Sequence, residues 1–161
     1  MAPSPSCGRW DCPHDGAGVK IPAALAELPR PLYFFDGHCV LCSRFVAFCL
    51  KRDPRGRLKF ASAQSATGTR VVTALGLPED TLDRTILLLD GDDVLARSAA
   101  VLRALRYVEG PARLLQPLAL VPAFFRDPLY DLIARNRIRW FGRRDTCLVP
   151  SPDTRSRFID L

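Results

Sequence analysis

After Pro31, short runs of apolar residues alternate with segments in which apolar residues recur at helical spacing. Leu32–Phe35 is an aromatic-rich apolar run that stops at Asp36-Gly37, which is typical of a buried strand ending in a turn. Over Val40–Arg52 apolar residues recur at helical spacing, and two basic residues close the segment ahead of Pro54. The pattern predicts a first strand followed directly by a helix.

The alternation continues through the middle of the chain. Strands are predicted at 58–61, 85–90 and 94–96, the last two joined as a hairpin. Helices are predicted at 69–75 and from a Ser98 cap to Glu109. The resulting order is β-α-β-α-β-β-α.

The C-terminal part of the chain predicts further helices. Residues 112–136 have a helical pattern, with breaks expected at Pro117, Pro122 and Pro128. The whole order predicts an α/β, thioredoxin-like fold: a mixed four-stranded sheet flanked by helices, with extra C-terminal helices.

The first thirty residues differ from the rest in composition. Prolines and glycines interrupt them and no apolar period is sustained, so we predict a flexible leader over 1–30 and the domain over 31–161. Cys7, Cys12 and His14 supply only three of the four ligands of a structural zinc site, and we expect no metal there. No charged segment followed by an apolar one marks a secretory signal, so the expected compartment is the reducing cytoplasm.

Composition is that of a globular protein, with 48% apolar and 25% charged residues in a chain of 161. A chain of this length buries a core without disulfide staples, so its six cysteines need another explanation. The net charge is +6, and seven arginines fall between Arg135 and Arg157. Of the 23 basic residues only Lys20, Lys51 and Lys59 are lysines, and this preference for arginine indicates either binding of an anion or nucleic acid, or simply GC-rich coding. The longest apolar stretch, 114–125, falls short of the ~20 residues that a membrane-spanning helix needs.

Two cysteines stand at the start of the first predicted helix, in the sequence Cys39-Val40-Leu41-Cys42. Attack on a disulfide needs a thiolate, and the positive end of a helix dipole favours one. The i, i+3 spacing places both sulfurs on one helix face, with the first expected to be exposed and the second sheltered. Cys39 is therefore the predicted attacking thiol and Cys42 the resolving one. Because Val40 and Leu41 are apolar, we expect a reducing or mid-range couple.

Three residues before Cys39 are candidates for supporting roles. Asp36 either caps the helix or accepts a proton from Cys42, while Gly37 forms the turn after the strand. His38 offers a positive charge when it is protonated. Cys49, deeper on the same helix, is expected to be buried and inert.

The segment Asp36-Gly37-His38-Cys39-Val40-Leu41-Cys42 resembles the D-G-x-C-x-x-C signature of the DCC family of thiol-disulfide oxidoreductases. Residues 60–65, the start of the 98–109 helix and the closing block 130–147 are also similar to that family, so the resemblance covers 32 to about 160. It implies a thioredoxin-like fold and an enzyme of the protein-disulfide reductase type that uses its dithiol and no separate cofactor. It leaves the thiol or disulfide substrate, the electron donor and the oligomeric state open, together with the question of a membrane-bound partner.

One departure from ordinary thioredoxins concerns residues 83–86. Thioredoxins carry a cis-proline before the third strand, facing the active site, and here no proline is present. General reduction of protein disulfides is therefore not implied by analogy.

The closing block has two interpretations. Gly142 permits a turn that returns the chain towards the sheet, so Arg137, Trp140 and Arg143 form a wall of the active site and Cys147 is a third thiol. Alternatively, the aromatic residues dock the tail on the core while the arginines stay solvated.

Two functions without redox activity compete with the enzyme. In the first, His38, Cys39, Cys42 and Cys147 bind zinc, although the usual second knuckle is absent. In the second, the arginines of 135–144, with Trp140 and Phe141, bind nucleic acid or another anionic surface. No motif that reads nucleic acid is recognised, so a nucleic-acid partner is not expected.

Overall fold

A mixed six-stranded sheet forms the centre of the structure, a computed structural model that describes residues 19–146 and 148–160. The strand order is β1-β5-β4-β2-β3-β6. The strands are β1 (Val19–Lys20), β2 (Leu32–Phe35), β3 (Lys59–Ser62), β4 (Leu87–Asp90), β5 (Asp93–Ala96) and β6 (Phe158–Ile159).

Helices cover both faces of this sheet. They are α1 (Val40–Arg52), α2 (Ala66–Ala74), α3 (Thr81–Arg84), α4 (Arg97–Ala104) and α5 (Ala123–Phe141), with 3-10 helices at Ala23–Leu25, Pro111–Leu120 and Arg155–Arg157. All four residues of β2 are buried, since this strand pairs in parallel with β3 and antiparallel with β4 between two apolar clusters. The α/β, thioredoxin-like prediction is therefore confirmed, and the dithiol follows the central strand β2.

The sheet has six strands where the sequence predicted four. The additional strands, β1 and β6, have two residues each and are too short to show an alternating pattern. β6 pairs in parallel with β3, and its Phe158 ring lies 5.6 Å from the ring of Phe60. Long-range packing, which local pattern does not report, adds these edge strands.

The prediction of a flexible leader over 1–30 does not hold for its last twelve residues. Val19 pairs with Val94 of β5, and Leu25 is completely buried against the sheet. The apolar groups of this segment are too widely spaced to give a period, yet they fill the surface beside β2. Residues 1–18, including Cys7, Cys12 and His14, lie outside the described residues.

Two helix details also differ from the sequence prediction. Ser98 does not cap α4, which begins at Arg97; its hydroxyl donates to Asp127 of α5 instead. Pro128 does not break α5 but lies inside it, near its N-terminal end. A proline in this position removes only one backbone donor, and packing of α5 on α4 keeps the helix continuous.

A buried ion pair fastens the C-terminal strand to the rest of the domain. The Arg157 guanidinium donates to Asp53 Oδ2 at 2.7 Å and to the Leu58 carbonyl at 2.8 Å, and Asp53 also accepts from the Leu58 N–H. Asp53 is 1% exposed, so its carboxylate depends on these partners.

We expect Arg157→Gln to lower the free energy of unfolding by about 3 kcal/mol, because it removes the closest cation from a buried carboxylate and leaves only Arg57 Nε, at 3.9 Å. Urea denaturation measures the change. Arg155→Gln, at an exposed neighbouring position, is the control and is expected to change stability by no more than about 0.5 kcal/mol. Equal losses in the two variants would contradict the role of the Arg157–Asp53 pair.

Candidate active site

The dithiol lies where β2 ends and α1 begins. Cys39 is the N-cap residue of α1, with extended backbone angles, and its sulfur accepts a hydrogen bond from the Cys42 N–H at 3.4 Å. Both thiols are free, and Cys42 lies one turn into the helix. The two sulfurs thus meet at the positive end of the helix dipole, as the spacing predicted.

The two thiols have opposite proton affinities. The pKa of Cys39 is lowered to about 6, mainly by a hydrogen bond from the Cys42 thiol and also by the Cys42 N–H and the Arg137 charge, while burial opposes the shift. The same hydrogen bond, followed by burial, raises the pKa of Cys42 well above its ordinary value. A thiolate at Cys39 stabilised by a thiol at Cys42 is therefore the favoured state of the reduced pair.

The exposure of the two cysteines is the reverse of the prediction. Cys39 is fully buried, while Cys42 is partly exposed. The cause is residues 142–144, here called the strap, which pair with the backbone around Cys39. The Arg144 N–H donates to the His38 carbonyl at 2.7 Å, and the Val40 N–H donates to the Gly142 carbonyl at 3.4 Å.

The strap depends on a turn at Gly142. This residue ends α5 with φ at +89°, a backbone conformation that side chains other than glycine rarely adopt. The chain reverses there, and Arg143 forms an antiparallel bridge with Cys39. The turn inferred from the sequence is thus present and brings the strap to the dithiol.

Beneath the dithiol, Asp36 is the centre of a polar network. Its Oδ1 accepts from the His38 N–H at 3.0 Å and from the Gln64 side chain at 3.2 Å, and its Oδ2 lies 3.3 Å from Arg137 Nη2. Asp36 does not cap α1, because Cys39 itself occupies the N-cap position. Three donors satisfy the carboxylate instead, and they hold the turn that presents Cys39.

Arg137 reaches this network from α5. It is only 4% exposed, and besides Asp36 it donates to the backbone carbonyls of Asp83 and Arg84. Its neighbours Arg135 and Arg139 are exposed. The helix therefore buries one arginine of the closing block and leaves the others in solvent.

A side chain of α5 also binds the backbone segment that precedes β4. The Tyr130 hydroxyl accepts from the Ile86 N–H at 3.3 Å and lies 3.1 Å from Thr85 Oγ1. Burial raises the pKa of Tyr130, so the phenol keeps its proton. In place of the cis-proline of thioredoxins, this protein has a backbone segment whose polar groups bind to the side chains of α5.

The remaining predicted site residues fall in different places. Gly37 donates its N–H to Gln64, and His38 Nδ1 lies 3.9 Å from Asp36 without a hydrogen-bond partner. Trp140 is 53% exposed. Cys147 lies outside the described residues. Cys49 is buried, and burial raises its pKa to about 12, in agreement with an inert role.

Three members of the site were not predicted from the sequence. Gln64 bridges Asp36 to Asp83, and Tyr130 covers the segment before β4. Gln64 and Tyr130 both lie in blocks that resemble the DCC family, which was the only available signal. Nothing in the local pattern distinguishes Asp83.

The residues of this site lie in a stretch of the chain that matches a known family. The sequence model of the DCC1-like thiol-disulfide oxidoreductase family matches residues 33–143, which run from β2 into the strap. The chain belongs to this family. In this DCC1-like protein, the matched residues include Asp36, Cys39, Cys42 and Arg137 and the whole of α5.

Two relatives are similar to most of this chain. The "Uncharacterized protein YuxK" of Bacillus subtilis (strain 168) is 40% identical over 133 residues, which are 83% of this chain and 96% of that protein. A chloroplastic "DCC family protein" of Arabidopsis thaliana is 34% identical over 122 residues, 75% of this chain and 70% of its own. No solved structure matches the chain.

Neither a metal site nor a membrane-spanning helix is found among the described residues of this DCC1-like protein. Within residues 19–146 and 148–160 no three His, Cys, Asp or Glu side chains come together as a metal site. No helix among the same residues is long and apolar enough to cross a membrane.

We expect Gly142→Ala to loosen the strap and to speed alkylation of Cys39 by iodoacetamide. A Cβ at this position meets no atom within 4 Å, so the substitution acts only through backbone strain of about 1–3 kcal/mol. Peptide mapping after timed alkylation measures the rate. Gly76→Ala, also at positive φ in open space, is the matched control and is expected to leave the rate unchanged.

We expect Arg137→Gln to raise the pH at which Cys39 becomes reactive. In the parent protein the alkylation rate should be half-maximal near pH 6 and level above it, because the thiolate forms with a pKa of about 6. Loss of the Arg137 charge moves this midpoint upward and lowers stability by about 3 kcal/mol, since Asp36 loses its buried partner. Arg137→Lys should restore part of both effects.

The exposed Arg135, on the same helix, provides the comparison for Arg137. Arg135→Gln removes an equal charge and is expected to leave both the midpoint and the stability as they are. A midpoint that moves equally in the two variants would show that Arg137 acts only through net charge.

Proposed function

We propose that this DCC1-like protein catalyses thiol-disulfide exchange with Cys39 as the attacking thiol and Cys42 as the resolving thiol. The observation that supports this order is the hydrogen bond that the Cys42 N–H donates to the Cys39 sulfur at 3.4 Å, which places that sulfur at the N-terminus of α1. Such an arrangement stabilises negative charge on Cys39 alone.

The reaction has two exchange steps. The Cys39 thiolate attacks one sulfur of a substrate disulfide, whose S–S bond breaks as the other sulfur leaves as a thiolate. Cys42 then loses its proton and attacks the Cys39 sulfur, which releases the second substrate thiolate and forms the Cys39–Cys42 disulfide. The substrate gains two electrons, the protein loses two, and a thiol or dithiol donor returns the protein to the reduced state.

Asp36 and Arg137 are proposed as positioning residues for these steps. Asp36 holds the turn before Cys39 through the His38 N–H, and Arg137 neutralises Asp36 while favouring the thiolate. The charge of Asp36 also acts on the Cys42 thiol, and Asp36 is the proposed acceptor of the proton that leaves Cys42. The reaction needs no other cofactor in this proposal.

Access to Cys39 is proposed to require movement of the strap. Cys39 is fully buried while residues 142–144 pair with its neighbours, so a substrate sulfur reaches it only after those backbone hydrogen bonds open. The edge before β4 is bound by Tyr130 and Arg137, so the substrate is held in some way other than by strand pairing at 83–86. The proposed compartment is the reducing cytoplasm, which fractionation of cells tests.

Trapping with the full-length Cys42→Ser variant tests the order of attack. We expect this variant to accumulate mixed disulfides through Cys39 when it is offered oxidised glutathione, because the resolving thiol is gone. Mass spectrometry of the alkylated peptides locates the bond. Cys39→Ser should trap nothing, and Cys49→Ser, which alters a buried thiol outside the pair, should behave as the parent does.

A redox titration in glutathione buffers tests the couple itself. A reversible Cys39–Cys42 disulfide at roughly −200 to −300 mV is expected from a pair without strongly cationic neighbours between its cysteines. Trapping through Cys42 in the Cys39→Ser variant would reverse the roles. Failure of the two thiols to pair at any potential, or their protection by bound zinc, would overturn the redox function.

A further inference from the structure

The side of α5 that faces away from the dithiol is apolar and uncovered. Together with the 3-10 helix before it, α5 exposes large apolar side chains, from 36% at Ile133 to 87% at Leu120. We call this surface the apolar face. Its most exposed members are Leu114, Leu120, Phe124, Phe125 and Leu129. Large apolar groups gathered in this way on a protein surface mark an interaction site.

The helical period shows that this face continues into a basic one. At 100° per residue, Phe125, Leu129 and Leu132 lie on the outer side of α5, opposite the buried Asp127 and Arg137. Over the last two turns the same outer side carries Arg135 and Arg139. One side of the helix is thus apolar in its first half and cationic in its second.

The exposed charges between residues 111 and 144 are positive, with exposed Glu109 and Asp145 just beyond the two ends of this stretch. Five arginines between residues 111 and 144 are exposed: Arg113, Arg135, Arg139, Arg143 and Arg144. The two acidic residues of that stretch do not offset them in solvent. Asp127 is buried, and Asp131 lies 3.6 Å from Arg97.

We propose that the apolar face and its arginines bind the surface of an anionic lipid bilayer. Leu and Phe side chains enter the boundary between headgroups and acyl chains while the arginines contact lipid phosphates, as in helices that lie flat on membranes. The proposed attachment is peripheral, and the described residues contain no helix long and apolar enough to cross a bilayer. Charge complementarity selects this partner: a second copy would bring like-charged rims together, and a nucleic acid would leave the apolar residues unused.

The redox site lies at the basic end of this surface. The strap begins directly after α5, and Arg143 and Arg144 flank Cys39 and His38 through their backbone. A bilayer that contacts Arg139 and Arg143 therefore lies beside the segment that covers Cys39. This placement is independent of the chemistry proposed for the dithiol.

Co-sedimentation of the full-length protein with lipid vesicles tests the proposal. We expect binding to equimolar phosphatidylcholine and phosphatidylglycerol that weakens at least about tenfold in high salt or with phosphatidylcholine alone, because each arginine near the surface adds to the attraction. The triple variant Leu120→Ser, Phe124→Ser, Phe125→Ser should lose binding with an unchanged Tm, since all three side chains are already exposed.

Charge variants separate the arginines of this surface from net charge. Arg113→Gln with Arg135→Gln and Arg139→Gln is expected to weaken binding at least about tenfold. The control combines Lys51→Gln, Arg55→Gln and Arg155→Gln, which are exposed outside residues 111–144 and remove the same charge, and it should bind within about twofold of the parent.

Several outcomes would overturn the lipid surface. They are absence of vesicle binding, equal binding with and without phosphatidylglycerol, and equal losses in the two charge variants. A parent dimer in analytical ultracentrifugation that the serine variant dissociates would assign the face to a second copy. Salt-sensitive binding to a short DNA duplex, in place of vesicles, would assign the arginines to nucleic acid.

Discussion

The ion pair between Asp36 and Arg137 is the constraint on which the arrangement of the active site depends. It joins residues 101 positions apart in the sequence, and both side chains are at most one tenth exposed. A carboxylate buried at the end of β2 needs a cation, and α5 supplies it from across the sheet edge. Because that contact fixes the helix, it also fixes where the chain emerges at Gly142 and hence where the strap meets Cys39.

This constraint changes how a thioredoxin-like site works. The same helix that provides Arg137 also places Tyr130 against Ile86, so the backbone that would face a substrate is already bound within the protein. Hydrogen bonds from the thiol and N–H of Cys42, together with the charge of Arg137, lower the pKa of Cys39. A buried, stabilised thiolate is protected from non-specific oxidation, but its reactivity then depends on access.

The sequence predicts the central elements well because their signals are local. The apolar run of β2, the helical period of α1 and the Cys39-x-x-Cys42 spacing are each read within a few residues. The sequence does not predict the features that depend on contacts between residues far apart in the chain. These are the two-residue strands β1 and β6, the burial of Arg137 among exposed arginines, and the burial of Cys39 by a strap a hundred residues away. Three arginines at alternate positions look alike in the local pattern. The helical phase of α5 turns Arg137 inward, where Asp36 and the carbonyls of Asp83 and Arg84 accept its hydrogen bonds.

The geometry of α5 separates access to the thiol from stability of the site. Arg137 lies five residues before the turn at Gly142, about 7.5 Å of helix, so the strap can move away from Cys39 without disturbing the Asp36–Arg137 ion pair. Opening requires only that a few backbone hydrogen bonds, such as Arg144 N–H to the His38 carbonyl, pass to water. Each contributes about 1 kcal/mol, far less than a buried ion pair that loses one partner. The thiolate environment therefore persists while Cys39 becomes accessible, and a change at the Gly142 turn affects access more than it affects the pKa of Cys39.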